Sequence, residues 1–319
     1  MKKWLKRFAY TILLLFIIVN IMSAFHAYKF THFYADAAPI KRPEQMSFNE
    51  KATAIFAGVK YPKSKVMDSL KVAHTTVKIK TEDNLMLDAW ENILGSDSSS
   101  KKAKGTIILF HGHGSSKSGT IKEAQVFDSL GYNILLIDFR GHGNSDGNIC
   151  SIGYNESKDV KAAYDYVEAK GEKNIILWGV SLGAATIMKA IKDYSIKPTK
   201  VIVEMPFASL HDAVKGRVRT MGLPEQPIST FLCFWGGVEL GFNAFSHDPS
   251  EYARKVTCPV LLQWGLQDKR VSEPETKTIF ANISSVQKQF VVYTTSGHVS
   301  LCKTENKKWI TTVANFLNR

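Results

Sequence analysis

The chain has no internal repeat, only four cysteines among its 319 residues, and no charged side chain from Phe8 to Tyr28. The missing repeat excludes a solenoid or propeller array. The four thiols, Cys150, Cys233, Cys258 and Cys302, allow three fully paired connectivities, and none has the surroundings of a catalytic cysteine. Two motifs that would bring a bound group are each incomplete. Gly112 to Ser118 (GHGSSKS) has the look of a phosphate-binding loop, but the glycine required before the lysine is Ser116 and the first glycine is one residue out of place, which argues against a nucleotide. His111 and His113 form an H-x-H pair with no further His, Cys or carboxylate at ligand spacing, so neither zinc nor any other metal or cofactor is expected.

What is present at the N-terminus is a different kind of segment. Lys2, Lys3, Lys6 and Arg7 precede the uncharged run from Phe8 to Tyr28, which is long enough to cross ~30 Å of hydrocarbon as a helix. The clearest small-x-small cleavage site, Ala35-Asp36-Ala37, lies well beyond the apolar core, so residues 1–28 read as an uncleaved signal anchor. The basic flank predicts a cytoplasmic N-terminus, hence a single-pass membrane protein whose globular part is extracytoplasmic. Residues 29–69, with Pro39, Pro43 and Pro62, read as a juxtamembrane stalk, and Ser96 to Lys104 as a flexible surface loop.

The formal net charge is +12, from 41 Lys and Arg against 29 Asp and Glu. Five of those charges, Lys2, Lys3, Lys6, Arg7 and Lys29, lie in or beside the anchor, which leaves +7 scattered over residues 36–319. No nucleic-acid partner is expected from that pattern. It reads as a solvated basic surface, with attraction to anionic lipid head groups a milder reading consistent with tethering.

From about residue 70 the pattern alternates between strand and helix. Strands are expected near 74–80, 84–93, 106–111, 133–139, 174–179, 200–205, 259–264 and 289–294, with helical stretches between. That alternation predicts an α/β domain over residues 70–319, doubly wound around a mostly parallel sheet, its first strands antiparallel.

Gly179-Val180-Ser181-Leu182-Gly183 matches the G-x-S-x-G nucleophile elbow, and its context fits. The apolar run Asn174 to Trp178 precedes it and the helical pattern Ala184 to Ile191 follows, so Ser181 would sit on a strand-to-helix turn tight enough to need glycines two residues either side. Gly143-Asn144-Ser145-Asp146-Gly147 also matches, but it lies inside a loop beyond its strand with no helix behind it; Ser145 reads as a turn residue.

A serine nucleophile needs a base, and the base needs an orienting acid. In the order Ser, acid, His, the acid is Asp268, in the loop after Pro259 to Trp264, and the base is His298, after Gln289 to Tyr293. His298 is the one histidine of nine that follows Asp268. Glu204, at the end of Lys200 to Val203, is a rival acid. Oxyanion donors would be the backbone N–H of Leu182 and that of His113, in the glycine-bearing loop after Thr106 to Phe110.

These segments together, with Asp138-Phe139-Arg140-Gly141-His142-Gly143-Asn144-Ser145 and Cys258-Pro259-Val260-Leu261, resemble the α/β-hydrolase superfamily, in particular its small-capped, membrane-anchored serine hydrolases of the esterase and lipase kind. The resemblance implies an α/β-hydrolase sheet, a cap inserted at about residues 207–250, and hydrolysis of an ester or related acyl bond of a small-molecule or lipid-like substrate. Acyl-peptide or amide cleavage and a catalytically silent binding protein are the alternatives. On this reading Phe231 to Phe245 turns apolar side chains, Trp235 among them, toward an acyl pocket. Cys150 and Cys302 would lie where two active-site loops meet, a place for a disulfide in an oxidising compartment.

Overall fold

β-Branched and aliphatic runs too short for helices become the strands of one eight-stranded sheet. The computed structural model describes residues 2–41, 45–94 and 103–319. Pro43 and most of the expected Ser96–Lys104 loop lie outside the described residues. The strands are β1 (Thr75–Lys80), β2 (Met86–Asn92), β3 (Thr106–Phe110), β4 (Asn133–Ile137), β5 (Ile175–Val180), β6 (Lys200–Glu204), β7 (Val260–Gly265) and β8 (Lys288–Tyr293). They lie in the order β1-β2-β4-β3-β5-β6-β7-β8. β1 and β2 pair antiparallel, with Val77 opposite Ala89, and β2 pairs antiparallel with β4, Trp90 opposite Leu136. From β4 to β8 every pairing is parallel, for example Leu109 with Trp178 and Ile202 with Leu261.

The parallel strands read as continuous apolar runs because helices cover both faces. Every residue of β3 and of β7 is buried. Around the sheet pack α3 (Ile121–Ser129), α4 (Ser157–Ala169), α5 (Leu182–Tyr194), α9 (Glu273–Asn282) and α11 (Asn306–Leu317), with short α8 (Pro249–Tyr252) and α10 (Leu301–Thr304) between. The connections reverse direction at β3: the chain leaves it for β4 on one side and later returns as β5 on the other. Ligands of open α/β sheets bind outside the strand ends at such a switch point.

Two further groups of helices sit at that end. α6 (Leu210–Thr220) and α7 (Ile228–Leu240) come from the insertion between β6 and β7 and pack on each other. The N-terminal α1 (Lys2–Thr31) is long and apolar enough to cross a membrane, and its far half packs along α7. The segment expected as a stalk is bound to the domain. It holds α2 (Phe48–Ala57), which opens on a Ser47–Glu50 capping box. Lys51 Nζ donates to Thr220 O at 3.2 Å, and Lys63 Nζ donates to the carbonyls of Ser145 and Gly147 at 2.6 and 2.9 Å. Proline content signalled a break in regular structure, but not the surface onto which the segment folds.

Candidate active site

Ser181 stands between β5 and α5 at φ 53°, ψ −110°, a conformation rare for a residue with a Cβ. Neighbouring contacts over-determine it. Ser181 N–H donates to Glu204 O at 2.8 Å and Ala185 N–H to Ser181 O at 3.0 Å, fixing the turn to β6 and to the new helix. The flanking glycines are required by space: a Cβ on Gly183 would stand 2.3 Å from Phe110 O, and one on Gly179 2.6 Å from Gly183 C. The result exposes the hydroxyl at the positive end of α5.

The ends of β7 and β8 are tied together. Leu266 N–H donates to Tyr293 O at 2.7 Å and Gln267 N–H to Ser296 O at 2.9 Å. This close approach brings Asp268 and His298 into line with the serine. Asp268 Oδ2 accepts from His298 Nδ1 at 2.7 Å, and His298 Nε2 lies 3.0 Å from Ser181 Oγ. The other Asp268 oxygen accepts from the N–H groups of Arg270 and Val271 at 2.7 and 3.0 Å. With the Asp268 side chain fully buried, the carboxylate is held from both sides and the imidazole proton is kept on Nδ1, leaving Nε2 to accept.

The loop after β3 runs beside the serine: a Cβ on Gly112 would lie 3.6 Å from Val180 O and 3.8 Å from Ser181 Cβ. Two buried histidines shape it. His111 Nδ1 donates to Gly112 O at 2.8 Å while its Nε2 accepts from Phe139 N–H at 3.2 Å. His142 Nδ1 donates to Arg140 O at 2.9 Å while its Nε2 accepts from Gly114 N–H at 3.2 Å. Burial pushes their pKa values down to about 4 and about 3, so both are neutral struts. The His113 ring is buried against Phe30, centroids 4.7 Å apart, and burial holds its pKa well below the ordinary value. Its ring is no base.

The fold has counterparts. A family described as serine aminopeptidase, S33 (Hydrolase_4), matches residues 101–249. A Pyrococcus furiosus esterase, Pf2001, superimposes with a TM-score of 0.67 at 22% identity, over 81% of this chain and 97% of that one. The chain has the α/β-hydrolase fold. The chain is also 26% identical over 162 residues to the lysophosphatidylserine lipase ABHD12 of Danio rerio, covering 49% of this chain and 41% of that protein. A Bacillus subtilis protein, YqkD, is 26% identical over 218 residues, 67% of this chain and 71% of that one. The chain spans about half the length of the ABHD12 relatives it matches.

Glu204, the rival acid, is elsewhere employed. Its Oε1 accepts from Trp178 Nε1 at 3.0 Å, Gln263 Nε2 at 3.1 Å and Trp309 Nε1 at 2.6 Å. Burial, and secondarily the Glu123 carboxyl, push its pKa up to about 8. Glu123 is buried too, accepting from Ser300 Oγ. Ser145 holds a turn, its hydroxyl donating to Asp138 O at 2.6 Å and accepting from Asp88 N–H at 2.8 Å. Among the described residues no cluster of His, Cys, Asp and Glu is disposed to hold a metal.

The expected Cys150–Cys302 bridge is not formed; all four cysteines are free thiols. Cys150 lies under the end of α1, its N–H donating to Thr31 O at 2.8 Å, whereas Cys302 is turned toward Asn306 in the neighbouring helix. The two loops are packed against different elements.

Ser181 and His298 open into a cavity of about 780 Å³. Part of its wall comes from residues the sequence gave no reason to place there: Phe30 at the end of α1, and Ile40, Val59 and Tyr61 of the following segment. Helical periodicity marks such a residue as apolar without naming its distant partner. Trp235, expected in an acyl pocket, instead donates from Nε1 to Asn20 Oδ1 of α1 at 3.1 Å.

Proposed function

We propose that this protein is a membrane-tethered serine hydrolase that cleaves a carboxylic ester or related acyl bond through an acyl-enzyme. One observation carries the reading: the unbroken hydrogen-bond chain from Ser181 Oγ through His298 to Asp268, at the wall of a substrate-sized cavity. Ser181 Oγ attacks the acyl carbon as its proton passes to His298 Nε2. The tetrahedral oxyanion is received by the N–H groups of Leu182 and His113. Collapse expels the alcohol with the proton from His298, and water then enters by the same route in reverse. Asp268 holds the Nδ1–H tautomer and stabilises the imidazolium. This chemistry requires no metal or cofactor.

An ester or lipid-like substrate is favoured over a peptide by the apolar walls of the cavity and by the lipase and esterase names of similar proteins. The match to a family described as an aminopeptidase keeps amide cleavage as the second reading. The localisation we favour is a single span through α1 with the hydrolase domain on the extracytoplasmic side, supported by the basic flank of Lys2, Lys3, Lys6 and Arg7. A fluorophosphonate probe should label Ser181 in the native chain and nothing in Ser181→Ala. A panel of p-nitrophenyl esters and amino-acyl p-nitroanilides then separates the two readings, and an unlabelled native protein would leave a silent binding fold.

A further inference from the structure

A second cavity, of about 350 Å³, lies between α1 and the two helices of the β6–β7 insertion. Its walls are three helix faces with four-residue spacing: Ile18, Met22, His26 and Phe30 on α1; Leu210, Val214 and Val218 on α6; Leu232, Gly236 and Leu240 on α7. Phe30, Tyr61, Leu210, Val214 and Met221 line this groove and the catalytic cavity alike, so the two adjoin. Polar groups on its walls are engaged: His26 Nε2 bonds Ile55 O at 2.7 Å, and Lys29 Nζ donates to Ala57 O at 2.9 Å.

The depth of this groove follows from α1 itself. From Arg7 to Lys29 a helix rises about 33 Å, close to the ~30 Å of a bilayer core. α7 meets α1 from just before the middle of that interval onward: the Phe16 and Phe231 rings lie edge to face at 5.9 Å, and Trp235 bonds Asn20. Asn20 stands about 20 Å along the helix from Arg7. On its other side α7 turns Phe234 and Val238 outward, 49% and 55% exposed. An apolar helix presenting Phe and Val at that level has lipid, not water, as its natural neighbour.

We infer that the α1–α6–α7 groove is the acyl-chain site, and that the acyl chain of a bilayer-resident ester passes from the outer half of the membrane along α1 to Ser181. The membrane helix is then a wall of the substrate path as well as a tether. This inference rests on the ester-hydrolase reading above.

The test uses the full chain reconstituted in phosphatidylcholine vesicles, with p-nitrophenyl acetate and p-nitrophenyl laurate as substrates. Gly236→Phe fills the groove from α7; a Cβ there would meet only Ala27 Cβ, at 3.9 Å, so the backbone accepts a side chain. Met22→Trp fills it from the opposite wall. Each buried methylene is worth roughly fourfold in kcat/KM, so excluding three or more should lower laurate kcat/KM by about sixtyfold or more while that for acetate stays within about twofold. As a measurement on the unaltered protein, a fluorophosphonate with a diazirine at the end of a long alkyl chain should label Ser181 and cross-link to α1 or α7. Equal effects on both esters in both variants, no effect on either, or cross-links confined to β-strand loops would overturn the groove. Failure of the native chain to hydrolyse acetate or to react with a short fluorophosphonate would instead sink the hydrolase reading.

Discussion

Replacing Asp268 by asparagine changes one atom and should reverse the polarity of the whole proton path. Asp268 Oδ1 faces two donors, the N–H groups of Arg270 and Val271 at 2.7 and 3.0 Å, so the amide oxygen must take that position. The opposite orientation would leave buried N–H groups against an NH₂, at a cost of about 1–3 kcal/mol each. The amide NH₂ is thereby aimed at His298 Nδ1, which must become an acceptor. The imidazole proton moves to Nε2, 3.0 Å from Ser181 Oγ, where it is donated to the hydroxyl whose proton it should take. By analogy with the same change in other serine triads, kcat should fall about 10⁴-fold, roughly 5.4 kcal/mol at 1.36 kcal/mol per decade. KM for p-nitrophenyl butyrate should barely move, because the groups lost act in the transition state. Thermal melting of the variant should match the native chain, since size and both backbone contacts are kept. Glu204→Gln is the control: its three donors keep an acceptor and kcat stays within a few-fold. If Asp268→Asn retained more than about a tenth of native kcat, or if Glu204→Gln were the crippled variant, the assignment of the acid would be wrong.

Glu204→Gln also carries a stability prediction. The native carboxyl holds its proton to about pH 8 whereas a free one releases it near 4.5, so the folded state binds the extra proton and stability falls as pH rises between those values. The glutamine variant should show a flatter Tm profile across that window and gain most at its alkaline end; an unchanged profile would mean Glu204 is ionised when folded. Below pH 6.5 the sign reverses for His111, His142 and His247, whose pKa values burial lowers to about 3 or 4; acid should destabilise native and variant alike. Gly183→Ala forces a methyl against the Phe110 carbonyl and should cost about 1–3 kcal/mol, lowering Tm by about 5 °C, with activity reduced at any temperature; a fully active variant with native Tm would show the elbow has room. Protease added outside intact cells or spheroplasts should digest the hydrolase domain, and full protection until lysis would reverse the orientation proposed for α1.

The strands and the elbow were legible because their causes are local. Thr106 to Phe110 and Val260 to Gly265 are apolar but for Thr106 and Gln263, as strands buried on both faces tend to be. Gly179 and Gly183 announce a turn that tolerates nothing larger. Asp268 and His298 could be picked out because parallel strands deliver their following loops to one edge of the sheet, whatever fills the distance between. The surroundings of the site were not legible, because they depend on partners far apart in the chain. Phe30 stacks on His113 across more than eighty positions, and Asn20 pairs with Trp235 across 215. The aromatic run Phe231 to Phe245 shows the difficulty most plainly. Its composition announced an apolar cap segment, but three surfaces compete for it: Leu232 and Gly236 turn to the groove, Phe231 and Trp235 to α1, and Phe234 to the outside.

Asn20 bears on how α1 is used. A side-chain amide within an uncharged span is costly in hydrocarbon unless its hydrogen bonds are met. A helix serving only as a tether has no use for one. Here the Trp235 indole meets the carbonyl oxygen, and the amide nitrogen donates to Phe16 O at 2.8 Å. The polar group thus fixes which face of α1 meets α7. Removal of α1, as by cleavage at Ala35-Asp36-Ala37, would uncover more than a lipid-facing surface. It would strip Ala27, Phe30 and Phe33 from the domain, leaving the α6 and α7 groove faces and the His113 ring open to water. The loop that supplies the proposed oxyanion donor therefore depends on the N-terminal helix for its packing, which favours an anchor kept in the working enzyme over a leader discarded on export.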